Sequence, residues 1–281
     1  MKFSLVLATI GRTKEIEDFC SSLASQAYND IELIIVDQNV DDRLVPIIQP
    51  YSSKFTILHL RCEKGLSKAR NHGLKFITGD IVCFPDDDCV YPVGLLNKVH
   101  HLFQNKPDWD GVTGCSVDLE GKVSAGDFSD QESFLTPFNL WNRNISFTIF
   151  LKEKVIKDVG GFDEKLGLGA PSIFQSGEET DYLIRALNLN YKIFYVPDLL
   201  VYHPNPILVF NSKAFSRAYS YGCGWGRVVS KHRYPIWFKL YTLIRPLGGS
   251  VLSFLTLRMK KSYYHLNIFR GRLKGILSQP V

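Results

Sequence analysis

The sequence predicts an α/β fold on a largely parallel sheet. Four runs within residues 1–85 are apolar almost throughout, and segments of helical period separate them. A change of composition after residue 204 predicts a basic helical region appended to that sheet.

The elements follow in order. KFSLVLAT (2–9) reads as a buried first strand and not as an export signal, because the apolar run is short and no small-residue cleavage site follows it. A helix over 13–26 sets Ile16, Phe19, Leu23 and Ala27 at helical spacing. IELIIVD (31–37) is the second strand, ending in a carboxylate. A short helix over 41–50 leads to a third strand, FTILHL (55–60). Residues 65–77 form a helix with Leu66, Ala69, Gly73 and Phe76 at its turns, and DIVCFP (80–85) is a fourth strand running into three aspartates. Ligands of such sheets bind beyond the carboxyl ends of the strands, where Thr9, Asp37 and Asp86–Asp88 fall. Strands at 111–118 and 146–151 flank a long polar connection, 119–144, of a length more often functional than idle. A segment KEKVIKDVGGFDE (152–164), a helix over 178–189, a strand over 191–197 and a last short strand ending at His203 complete the body.

Composition excludes several classes. Hydrophobic residues make up 45% and charged residues 22%, as in ordinary globular chains. The six cysteines include no CxxC pair, which argues against a disulfide framework or zinc site and for a reducing compartment. The longest apolar stretch, 236–257, is interrupted by Lys239 and Arg245 and is not expected to span a bilayer. The net charge of +5 hides an asymmetry: residues 205–281 carry thirteen Lys or Arg and no Asp or Glu, leaving 1–204 with twenty basic against twenty-eight acidic, a balance of −8. Such a tail suits an anionic partner.

Asp86-Asp87-Asp88 is the strongest chemical signal. Adjacent carboxylates repel one another, so a strand end keeps them together most readily around a cation, and Mg²⁺ or Mn²⁺ suits all-oxygen ligands shared with substrate phosphates. Aspartates also decorate turns and cap helices. Asp37 either caps a helix or accepts hydrogen bonds from a nucleotide's base or ribose. Arg70 either reaches a phosphate or shares a solvated helix face with Lys64 and Lys68. His203 is either a packed core residue or an imidazole ligand to the ion. Glu178, Glu179 and Asp181 suit the positive end of a helix dipole, or supply a general base.

Taken together, LATIGR (7–12), IIVDQNVDD (34–42), GLSKARNHGL (65–74), FPDDDCVYP (84–92), VGGFDEKLGLG (159–169), GEETDYLIRAL (177–187) and YVPDLLVYH (195–203) resemble the family 2 glycosyltransferases in content and order. The resemblance implies a single Rossmann-like glycosyltransferase A domain with a mixed central sheet over 1–204. Its nucleotide-binding half would be 1–110 and its acceptor half 111–204, followed by the basic extension 205–281. It further implies inverting transfer of a sugar from a nucleotide diphosphate donor, by default UDP-linked, to a hydroxyl of a glycan or lipid-linked acceptor. Thr9, Arg12, Asp37, Arg70, Asp86 and Asp87 would surround the nucleotide. Asp86, Asp88 and His203 would hold Mn²⁺ or Mg²⁺. Glu179 would stand where the family usually has an aspartate base, with Asp181 as the second candidate. Glu178, Asp163 and Trp141 would lie on the acceptor side. The setting expected is polysaccharide or glycolipid synthesis.

The tail is expected to lie on an anionic membrane through one amphipathic helix. Tyr263, Leu266, Phe269, Leu273 and Ile276 would form its apolar stripe, with Trp225, Trp237 and Tyr241 at headgroup depth. The alternative is a helix packed back on the acidic body. The expected location is cytoplasmic, peripheral on the inner face of the membrane. Three other readings compete. A nucleotidylyltransferase would need a glycine-rich loop after the first strand, where ATIGRTKE has one glycine. A nucleic-acid-binding protein using the tail is opposed by the acidic body, so no nucleic-acid partner is expected. A catalytically inactive carbohydrate-binding relative is raised by the departure at Glu179.

Overall fold

The computed structural model describes residues 1–205 and 209–278. The parts of the predicted extension at 206–208 and 279–281 lie outside the described residues.

The chain forms two compact units. The first contains Met1–Lys64, Lys68–Gly161 and the stretch that begins at Tyr182, and it holds the whole sheet. Its strands are β1 (Phe3–Thr9), β2 (Ile31–Asp37), β3 (Thr56–Arg61), β4 (Ile81–Cys83), β5 (Gly111–Val117), β6 (Ser133–Phe134), β7 (Ile149–Lys152) and β8 (Ile193–Tyr202). The order across the sheet is β3-β2-β1-β4-β7-β5-β8-β6. β3, β2, β1 and β4 run parallel, while β7 is antiparallel to both of its neighbours, so the sheet is mixed, as the resemblance implied. Every residue of β1, β2, β4 and β5 is buried, which is why these runs carry no polar alternation. Helices α1 (Lys14–Ala24), α2 (Val45–Ile48), α3 (Leu66–Leu74), α4 (Leu95–Asn105) and α5 (Glu153–Val159) connect them. The core joins Phe3, Leu5 and Leu7 of β1 to Phe19 and Leu23 of α1 and to Leu96, Val99 and Phe103 of α4.

Two local differences from the sequence reading have physical causes. α4 is an amphipathic helix entered through Gly94 at φ +82°, a left-handed start that ordinary capping patterns do not signal. β8 is one strand where two are expected. Pro197 cannot donate to the ladder, and the pairing with β5 shifts register between Thr113 and Cys115, absorbing the interruption as a bulge.

The second unit contains Gly65–Ser67, Phe162–Asp181 and the C-terminal helices α7 (Ser212–Lys231), α8 (Ile236–Leu255) and α9 (Met259–Leu277). Helix α6 (Glu178–Asn188) begins in this unit and continues into the first. The unit therefore reaches beyond the region predicted from composition, because 162–181 packs on α7. The Ser176 hydroxyl donates to the Tyr221 carbonyl, and a Cβ on Gly177 would sit 2.9 Å from Val228. α7 and α9 touch along small residues: a Cβ on Gly226 would overlap the Arg272 carbonyl, and one on Gly271 the Tyr219 carbonyl.

The tail's predicted apolar stripe is not the face α9 buries. Asn267, Gly271 and Gly275 are its buried residues, while Tyr263 packs edge-on to Phe215. Trp225 is likewise not at an outer surface. It is half-buried, stacked on Phe238, with the Arg272 guanidinium 4.2 Å from its ring centroid. Pro246 inside α8 has no N–H for the Thr242 carbonyl, and Arg272 Nη1 donates to that carbonyl at 2.6 Å. Burial lowers the pKa of Arg272 to about 10, and Arg245 adds to the effect.

Candidate active site

β4 delivers the chain to Asp86-Asp87-Asp88, and Arg12 bridges the last two of these carboxylates. Asp86 Oδ1 accepts from Arg70 Nη2 at 3.1 Å and from the Ser146 hydroxyl at 3.1 Å. Arg70, on α3, is only 1% exposed, so its charge faces the cluster and not water. Asp87 accepts from the Thr9 hydroxyl at 2.7 Å and lies 3.2 Å from Arg12 Nε. Asp88 Oδ2 accepts from Arg12 Nη2 at 2.7 Å, and its Oδ1 lies 3.1 Å from His203 Nε2. The His203 ring stacks on Phe147 with centroids 4.8 Å apart and planes nearly parallel, and its Nδ1 lies 2.9 Å from the Pro204 carbonyl. Thr9, Arg12, Arg70, Asp86, Asp87, Asp88 and His203 are thus brought together beyond the end of β4.

Charge in the cluster is evenly matched, and burial is what perturbs it most. Three carboxylates face two guanidiniums and one imidazole. Burial raises Asp86 above its ordinary pKa despite Arg70 and His203, and it raises Asp87 to about 6 against Thr9 and Arg12. Burial also works to raise Asp88, but the bond to His203 and the charges of His203 and Arg12 outweigh it and hold it low. His203 moves the opposite way: burial alone would lower it, and Asp88 and Asp86 raise it. Asp86, Asp88 and His203 each offer a ligand atom, all within 4.8 Å of one another. Two carboxylates and an imidazole are a donor set that suits Mn²⁺ or Mg²⁺. A cavity of about 290 Å³ opens beside Asp88 and His203, walled by Tyr202, Asn205 and the turn carrying Asp118 and Glu120.

Asp37 is fully buried, and its carboxylate is saturated. Oδ1 accepts from the Asn39 backbone N–H and Nδ2, both at 2.8 Å, while Oδ2 faces His59 Nε2 at 2.9 Å and Arg61 Nη1 at 2.8 Å. Four partners fill the four acceptor positions of a carboxylate. Direct acceptance from a nucleotide base, the role expected of it, requires one of them to leave. His59, Arg61 and Asn39 were not singled out from sequence. The β2–β3 register that sets Arg61 opposite Asp37 and His59 opposite Ile35 is what brings the first two there.

The predicted acceptor-side and base residues divide. Trp141 donates its indole N–H to the Pro137 carbonyl at 3.1 Å. In the second unit, Asp181 is fully buried, with Lys231 Nζ and His232 Nε2 each 2.8 Å from its Oδ1. Asp163 shares Lys231 at 2.7 Å and accepts from the Lys165 N–H. Glu178 is buried close to Gly167, while Glu179 beside it is half-buried.

The sequence profile described as "Glycosyl transferase family 2" matches residues 4–156. A glycosyltransferase of Haemophilus influenzae is 24% identical over 189 residues, covering 66% of this chain and 61% of that protein. A glucosyl-dolichyl phosphate glucuronosyltransferase of Haloferax volcanii is 26% identical over 184 residues, covering 59% and 58%. The chain thus spans about three fifths of the length of these curated relatives. Among solved structures, TarS 1–349 of Staphylococcus aureus superposes with a TM-score of 0.64 at 18% identity, covering 97% of this chain and 92% of that one. The mannosyltransferase PcManGT of Pyrobaculum calidifontis, solved with GDP-Man and Mn²⁺, superposes at 0.67 with 14% identity, covering 98% and 87%. Profile and folds agree with the strand-end carboxylates: the chain belongs to glycosyl transferase family 2.

Proposed function

We propose that this chain is a metal-dependent, inverting glycosyltransferase. It moves a sugar from a nucleotide diphosphate donor to a hydroxyl of a glycan or lipid-linked acceptor, and it works at an anionic membrane surface. The observation that carries the reading is the strand-end trio Asp86, Asp88 and His203, whose ligand atoms lie within 4.8 Å of one another and whose carboxylates Arg12 and Arg70 hold in place. Support comes from PcManGT, solved with GDP-Man and Mn²⁺, and from TarS, solved with UDP and with UDP-GlcNAc. UDP is the default donor nucleotide.

Asp86, Asp88 and His203 are the residues that would hold Mn²⁺ or Mg²⁺. Once bound, the ion offsets negative charge growing on the departing diphosphate. Arg70 and Arg12 fix the carboxylates so that little reorganisation accompanies binding. Thr9, Asp87 and the Asp37–Asn39–His59–Arg61 group line the nucleotide side, where release of Arg61 or His59 from Asp37 would open a position for the base. Glu179, which stands where the family usually has its aspartate base, takes the role, with Asp181 as the second candidate. It removes the acceptor hydroxyl's proton as the new C–O bond forms and the anomeric carbon–phosphate oxygen bond breaks, releasing the nucleoside diphosphate. Glu178, Asp163 and Trp141 are placed on the acceptor side.

A panel of nucleotide sugars with Mn²⁺, scored for nucleoside diphosphate release, tests the proposal. Release from at least one donor, abolished by chelation, supports it. No release from any donor, with no Mn²⁺ bound in calorimetry, removes it.

A further inference from the structure

Helix α8 is built inside out. Its buried positions are Phe238, Thr242, Pro246, Ser250 and Ser253, four of them small or polar. Its outer face carries Trp237, Leu240, Tyr241, Ile244, Val251 and Leu255, and ten large apolar side chains of this helix are exposed, from 41% at Leu247 to 72% at Leu255. A soluble surface helix shows the reverse arrangement. Contiguous exposed apolar area on this scale exceeds what a monomer ordinarily leaves open to water and marks an interaction surface.

The rotation of α8 is pinned. The Ser250 hydroxyl donates to the Ser262 carbonyl at 3.0 Å, and the Thr242 carbonyl is held by Arg272. Turning the helix to hide its apolar side would strand these polar groups. The orientation therefore belongs to the fold.

Charge identifies the occupant. The outer apolar face carries no ion: by helical period Lys239 falls on the opposite side and Arg245 at the margin. Exposed cations flank the ends of the helix, Arg233 before it and Arg258 and Lys260 after it. Across a two-fold contact between copies these cationic rims would meet their own kind, since residues 205–281 contain no acid. A bilayer with anionic headgroups complements both features, apolar at the centre and negative at the rim. Trp237 and Tyr241 are the side chains that favour the water–lipid boundary. Among the described residues no helix is long and apolar enough to cross a membrane, so the geometry calls for a helix lying in its plane, about 30 Å long for its twenty residues.

We infer that the outer face of α8 is the membrane-inserted surface of this protein, lying in the plane of an anionic bilayer. The inference rests on the membrane-surface reading above and moves its insertion from α9 to α8.

The test is cosedimentation of the full chain with phosphatidylcholine vesicles, with and without phosphatidylglycerol. The unaltered chain should bind the anionic vesicles and lose binding at high salt. The Leu240→Ser/Ile244→Ser double variant should bind about tenfold more weakly or worse, the scale set by two large aliphatic side chains no longer buried. Leu277→Ser, on an exposed position of α9, should bind within about twofold of the unaltered chain, an exposed site costing little. Brominated lipid should quench tryptophan emission in the unaltered chain, with the effect cut sharply by Trp237→Phe. Both α8 variants should keep the parent melting temperature and donor turnover. If the unaltered chain binds neither vesicle, the membrane reading and the α8 assignment fail together. If it binds and the double variant binds equally well, α8 is not the inserted surface and the membrane reading survives. If the lipid-free chain is a dimer that the double variant converts to monomer, with vesicle binding unchanged, the face joins two copies and the inference is overturned.

Discussion

Two of the carboxylate clusters tied to cations are opposite in kind. At the end of β4, three aspartates face Arg12, Arg70 and His203, and burial still pushes Asp86 and Asp87 toward protonation. At the start of α6, Asp181 is completely buried and closed off by Lys231 and His232, with Asp163 sharing the lysine. The first cluster brings ligand atoms of Asp86, Asp88 and His203 within 4.8 Å of one another and has a cavity beside it. The second is closed on itself. A carboxylate held by cations is therefore no evidence of function by itself; several ligand atoms converging beside an open cavity are the stronger sign.

The comparison yields graded predictions. Asp88→Ala should reduce nucleoside diphosphate release by about 10³-fold or more while leaving the melting temperature nearly unchanged. Normal turnover in that variant would refute the metal assignment. Glu179→Gln should cost about 10²–10³-fold in turnover, the range of a general base, with little loss of stability. An equal loss on Asp181→Asn with intact stability would instead make Asp181 the base. Expected for Asp181→Asn is destabilisation of about 3 kcal/mol, since a buried partner is removed from Lys231, measured by denaturant unfolding. Asp163→Asn should be mildest, about 0.5 kcal/mol, because the pair is partly solvated and Lys231 keeps Asp181. Burial works to raise the Asp163 pKa, but Lys231 and the Lys165 N–H outweigh it and hold it low. Its small contribution is thus present above the unfolded carboxylate's pKa and is lost as pH falls through the lower folded value. A difference between Asp163→Asn and its parent that grows on acidification would contradict this sign.

Much of the first cluster is legible in the sequence because its residues mark strand ends, and strand ends of an apolar α/β pattern point to one edge. Thr9, Asp37 and Asp86–Asp88 follow from strand ends, Arg70 and His203 from the helix and strand that carry them, and the order of motifs adds Arg12. The partners of Asp37 are not legible, because Arg61 and His59 become its neighbours only through the β2–β3 register. Nor is the fate of Asp181, whose partners Lys231 and His232 come from the far end of α7, about fifty residues on. α8 is a third kind of limit. Its composition shows that it is apolar, but which side turns inward is fixed by Pro246, Thr242 and Arg272, a contact between helices that no single-helix pattern contains.

That contact has a kinetic consequence. One guanidinium touches Trp225 of α7, springs from α9 and occupies a carbonyl that proline released in α8, so none of the three helices can fray by itself without dislodging the others. Their backbone amides should therefore exchange with deuterium as one block, and Arg272→Leu should split that block, with α8 opening first.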